Sequence, residues 1–97
     1  MKETASMIHT EIYVRTRGSR GEYHHACQVL LKDEPTKGAF IQLPTKFRKG
    51  SWTDVEIERV AQTAAGYMVY GLYRVPYVGD QSGMPILEAE VPEVSHG

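Results

Sequence analysis

Residues 67–75, YMVYGLYRV, hold three tyrosines, Met68, Val69, Leu72 and Val75 but only one charge, Arg74. Tyrosine and branched side chains favour a pleated strand. Alternation leaves neither face polar, so this stretch needs cover on two sides. Read as a helix it would be apolar nearly all round, with the same demand. A 97-residue chain makes one domain with a modest core and has little material to supply both covers. The expectation is therefore a homo-oligomer with Tyr67, Tyr70, Tyr73 and Tyr77 at the interface, since tyrosine is a residue that interfaces favour.

The rest of the chain reads as strands and turns. Residues 8–16 alternate, with Ile8, Thr10, Ile12 and Val14 on one side and His9, Glu11, Tyr13 and Arg15 on the other. After a Gly18–Gly21 turn, residues 22–32 form a second strand, with His25, Cys27, Val29 and Leu31 on one face. A four-residue loop would set Ile12 opposite Cys27 and Val14 opposite His25, with Arg15–His24 and Arg17–Glu22 as pairs on the wet side. Residues 38–57, GAFIQLPTKFRKGSWTDVEI, read as a hairpin whose Arg48-Lys49-Gly50 turn uses glycine for a left-handed conformation. Pairing Phe47 with Ser51 would place Leu43 by Val55 and Ile41 by Ile57, and bring Lys46 and Trp52 together on the other face.

Residues 53–65 read two ways. Thr53 and Glu56 fit a capping box, and Ile57, Val60, Ala61, Ala64 and Ala65 fit a helix closed by Gly66. The strict Val-Glu-Ile-Glu alternation fits a strand that turns at Gly66 and sets Ala61 by Met68 and Ile57 by Leu72. Residues 86–91 give a last strand. Gly21, Gly38, Gly50, Gly66 and Gly83 then each close a loop. The expected fold is all-β, an antiparallel meander or small barrel of about six strands in a single domain, residues 1–97, with 1–7 a loose end. The alternative is α+β, with a helix over 53–65 packed on an antiparallel sheet.

Chemistry-bearing motifs are few. The single cysteine, Cys27, excludes an internal disulfide and a cysteine-rich metal site, which suits a reducing compartment. No leader and no apolar run of membrane-spanning length is seen, so a cytoplasmic protein is expected. There is no nucleophile elbow, phosphate loop or His-x-x-x-His spacing. His24 would point away from His25 and Cys27, leaving too few ligands for zinc, and Glu56 and Glu58 read as a solvated strand face. No catalysis, metal or cofactor is expected.

Charge is uneven although the net is −1: residues 1–49 hold nine Lys/Arg against five Asp/Glu, and residues 50–97 hold two against seven. A pI near 6.4 argues against a strongly basic, non-specific nucleic-acid binder. The basic residues gather at hairpin tips, Arg15, Arg17 and Arg20 with His24 at one, and Lys46, Arg48 and Lys49 with Trp52 at another. Cations that hold phosphates beside an aromatic that stacks a base are what single-strand binders use.

Residues 38–54 resemble a segment of the SpoVG family, small bacterial nucleic-acid-binding proteins. Gly38, Phe40, Ile41, Leu43, Pro44 and Lys46 answer that family's Gly-x-Phe-Ile/Val-x-Met-Pro-x-Lys. Gly50, Trp52 and Asp54 answer its Gly-x-Phe-x-Asp, after a turn one residue shorter. Past Asp54 the chain departs, with a second β-like hairpin where that family moves into a helix. The resemblance implies DNA or RNA binding and dimerisation.

Two functions are therefore expected in order. The first is a non-catalytic nucleic-acid-binding protein that uses Lys46, Arg48, Lys49 and Trp52, helped by Arg15, Arg17 and Arg20. The alternative is a small phage-type inhibitor or sequestering module that binds a host protein or an anionic nucleotide.

Overall fold

Every alternating segment in the described residues becomes a strand. The structure is a computed structural model and describes residues 7–16, 18, 20–75 and 85–92. The strands are β1 (Ile8–Arg15), β2 (His24–Leu31), β3 (Phe40–Gln42), β4 (Asp54–Gln62), β5 (Tyr67–Arg74) and β6 (Ile86–Glu90). They close into a barrel in the order β1-β2-β6-β3-β4-β5. The all-β expectation holds, and the helix over residues 53–65 gives way to β4 and the turn that follows it. The sheet is not a plain antiparallel meander, because β1 pairs with β5 and β3 with β6 in parallel.

Closure answers the demand of residues 67–75. Val69 is fully buried inside the barrel with Ile12, Val29, Leu31, Ile41, Leu43, Val55 and Ile57, and Tyr73 joins the same core. On the outer face Leu72 is only 8% exposed, and half-buried Tyr70 is covered in part by Tyr13, Tyr23 and Arg59. The inner face and much of the outer one are thus covered from within one chain, while Val75 stays 54% exposed, and the strand alone no longer requires an oligomer. Tyr77 lies outside the described residues.

Three registers differ from expectation. In the central hairpin Ile41 pairs with Val55 and Phe40 with Glu56, two residues from the expected match. Pro44 ends the ladder, and Thr45–Phe47 coil into a single 3-10 turn instead of extending the strand. A slip of two keeps every side chain on its face, so Ile41, Leu43, Val55 and Ile57 still point inward. Lys46 therefore lies over Phe47, and Trp52 goes to Tyr73.

Between β1 and β2, Ile12 pairs with Cys27 as expected, but Tyr13 then pairs with His25 and Val14 with His24. Ala26 is the extra residue of the bulge, and it turns His25 from the core face to the outside. A second bulge, at Glu58, sets Ile57 opposite Gly71 rather than Leu72, while Ala61 meets Met68 as expected.

Two glycines permit this packing by close approach. A Cβ on Gly71 would stand 2.4 Å from Val55 Cγ1 and 2.5 Å from the Glu56 carbonyl oxygen. On Gly66 it would stand 2.0 Å from the His9 carbonyl oxygen, where β5 begins to run beside β1. Gly50 takes the expected positive φ of 59°.

Candidate nucleic-acid interface

β1 and β3 run in the same direction, so the connections that follow them fall at one end of the barrel. The two basic tips, far apart in sequence, are brought together there. Between them lies a cavity of about 320 Å³ lined by Val14, Arg15, Thr16, Glu22, His24, His25, Ala26, Lys49 and Tyr73. β2 leaves room for it because its contact with β6 is limited to Leu30 and Leu31, and His24–Ala26 border the opening.

The predicted contacts have unequal standing at this mouth. Lys49 borders the cavity, and its backbone bridges to that of Trp52 through two hydrogen bonds of 3.1 and 2.9 Å. The Trp52 ring stacks on Tyr73 at 5.5 Å between centroids and remains 39% exposed. Lys46 is exposed, with its ammonium 5.7 Å from the Phe47 ring centroid. Arg20 is exposed, and no described residue forms an ion pair with it, with Lys46 or with Lys49. Arg17 lies outside the described residues.

Two of the arginines are engaged by the fold itself. Arg48 Nε donates to the Leu43 carbonyl at 2.8 Å, closing the tight 3-10 turn. Arg15 turns outward to Glu58 in a bidentate pair of 2.8 and 2.6 Å, instead of pairing with His24. Tyr23 Oη donates to the same carboxylate at 2.8 Å. The Arg15 hydrogen bond holds the Glu58 carboxyl below its ordinary range. Burial first, and then the bond to Glu58, pushes the Tyr23 phenol up.

The outer wall carries a constellation that the sequence reading missed. Arg59 lies 4.8 Å over the Tyr70 ring, Tyr70 stacks on Tyr13 at 5.3 Å, and Tyr13 meets His25 edge-on at 5.1 Å. The row crosses β4, β5, β1 and β2 through directly paired residues. Tyr23 adds an edge contact to Tyr70, and His25 Nε2 meets Glu11 at 2.5 Å. Glu56 pairs with Arg74 at 3.4 Å, and Arg74 lies over the Phe40 ring. No sequence signal gave this row, because it rests on parallel β1–β5 pairing and two bulges. Tyr67 begins β5 near Glu34, and burial first and then that carboxylate raise its phenol.

Chemically the mouth offers cations, imidazoles, one carboxylate and aromatic surface. Cys27 is buried, and loss of hydration pushes its thiol up to about 12, which leaves no thiolate nucleophile. Among the described residues no group of three or more His, Cys, Asp and Glu is placed to hold a metal ion. No helix among them is long and apolar enough to cross a membrane. No family model, curated protein or solved structure matches this chain.

Proposed function

We propose that this protein binds nucleic acid without catalysis, taking single strands at the barrel mouth. The observation that carries the reading is the meeting of two distant segments around one cavity that Arg15 and Lys49 both line, with Lys49 outside any described ion pair, Trp52 bridged to it and partly open, and Lys46 and Arg20 exposed on the same two segments. Lysines and Arg20 neutralise phosphates, and Trp52 stacks a base against a ring already fixed on Tyr73. The resemblance of residues 38–54 to the SpoVG family points the same way. Arg15 and Arg48 play a smaller part than their charge suggests, because Glu58 and the Leu43 carbonyl hold them.

Titration of a labelled single strand at several salt concentrations tests this. Binding should weaken steeply with salt. A Lys46→Glu/Lys49→Glu variant should bind at least about tenfold more weakly, with a log–log salt slope shallower by roughly 1.4, about 0.7 for each cation removed. Absence of binding to any DNA or RNA at low salt, or binding indifferent to salt, overturns the reading.

A further inference from the structure

The size and floor of the mouth cavity narrow what it can hold. At about 320 Å³ it lies at the small end of small-molecule sites, which run to roughly 300–1,000 Å³. Its floor includes Val14 and Tyr73, only 6% and 9% exposed and packed in the barrel core, so it ends on filled interior. A strand can cross this mouth but cannot thread it.

The lining is also two-sided in chemistry. Lys49, His24 and His25 offer donors suited to a phosphate, although His25 is shared with Glu11. Val14, Ala26 and the Tyr73 ring offer an apolar wall for a planar base. Glu22, the one carboxylate of the lining, offers an acceptor to an amino group on that base. A second cavity, about 330 Å³, is lined by Lys32, Asp33, Gln42, Ile86, Leu87 and Glu88, with no aromatic side chain among them.

We infer that the mouth cavity takes a single amino-bearing nucleotide, either the terminal unit of a strand or a free nucleotide, and not the interior of a strand. The inference rests on the nucleic-acid reading, with Lys46 and Trp52 left to contact the remainder of a strand.

Competition separates the sources. Adenosine monophosphate should displace a labelled linear strand bearing a terminal phosphate, and a circular single strand of the same composition should bind at least tenfold more weakly. Ala26→Trp, which fills the cavity, should abolish binding of the mononucleotide. Should that variant fail to fold, Lys49→Glu, at an exposed position, should weaken mononucleotide binding at least tenfold. Equal binding of circular and linear strands without competition by the mononucleotide overturns the inference and leaves nucleic-acid binding intact. Binding of the mononucleotide but of no strand supports the cavity assignment and overturns the strand reading. If neither binds at low salt, both fall.

Discussion

The outer wall and the mouth use the same residue types to opposite ends. On the wall Arg15 is held by Glu58, Arg74 by Glu56 and His25 by Glu11, and Arg59 lies on Tyr70. At the mouth Lys49, and on the two segments that border it Lys46 and Arg20, have no ion-pair partner among the described residues, and Trp52 is 39% exposed. A count of cations or tyrosines would rank the two regions alike. Their pairing separates them: the wall cations, including Arg15 and His25 where they reach the rim of the mouth cavity, already hold strands together, whereas Lys49 on the same rim remains available to an anion.

The largest expected effect tests the wall as architecture. Gly71→Ala drives a methyl into the Val55 side chain and the Glu56 backbone, and backbone cannot yield as a flexible side chain can. We expect a loss of about 3 kcal/mol, at the upper end of overpacking costs, read as a lower urea midpoint. Gly50→Ala at the mouth meets nothing within 4 Å and suffers only the strain of φ 59°. That should cost about 1 kcal/mol. A larger loss from Gly50→Ala than from Gly71→Ala would break the distinction.

The same contrast explains what was legible in the sequence. Strict alternation in residues 8–16 marks β1 and its inward residues, and in residues 55–58 it favours a strand while still leaving a helix open over 53–65. Side-chain parity survives a two-residue slip, so Ile41 and Val55 were placed inward although their partners were misassigned. The bulges at Ala26 and Glu58 leave no such trace, and each moved what came after it, sending His25 outward and Leu72 away from Ile57. Parallel β1–β5 pairing joins segments far apart in sequence, which local patterning cannot register. At the mouth, the basic tips were visible as composition. Their meeting was not, because it depends on the closed strand order.

A pair of aromatic truncations sharpens the comparison at intermediate size. Trp52→Ala should cost roughly 1–3 kcal/mol of single-strand affinity, the contribution of one stacked base. The fold should lose less, because Trp52 is a partly exposed cover on Tyr73. Tyr70→Ala removes the centre of the wall row, with contacts to Tyr13, Tyr23 and Arg59. It should lower stability by about 2 kcal/mol and leave affinity unchanged. Anisotropy titrations and urea melts on both variants decide the matter. If Tyr70→Ala weakens binding at unchanged stability, the wall is itself a contact surface.

The smallest effect is the one whose sign pH can check. Glu58 accepts from Arg15 twice and from Tyr23 once, and its carboxyl is held below the ordinary range chiefly by the Arg15 hydrogen bond. A group whose folded pKa is depressed stabilises the fold above its unfolded value, near 4.3 for glutamate, and that contribution is lost as pH falls through the lower folded value. Glu58→Gln keeps the shape but removes the charge, and at pH 7 should cost about 1 kcal/mol, since the site is partly open to solvent. The difference between wild type and variant should shrink as pH drops below about 4, because the unfolded carboxyl then takes up a proton that the folded, Arg15-bound one resists. Tyr23 supplies the opposite arm: its phenol is raised, so the stability it contributes is present below about pH 10 and fades as pH rises through the folded value. Urea midpoints at pH 7 and pH 3 suffice for the acid arm. A Glu58→Gln deficit that persists undiminished at pH 3 would mean that the depressed carboxyl is not its source, and that the variant instead suffers from the amide nitrogen that cannot accept from Arg15 or Tyr23.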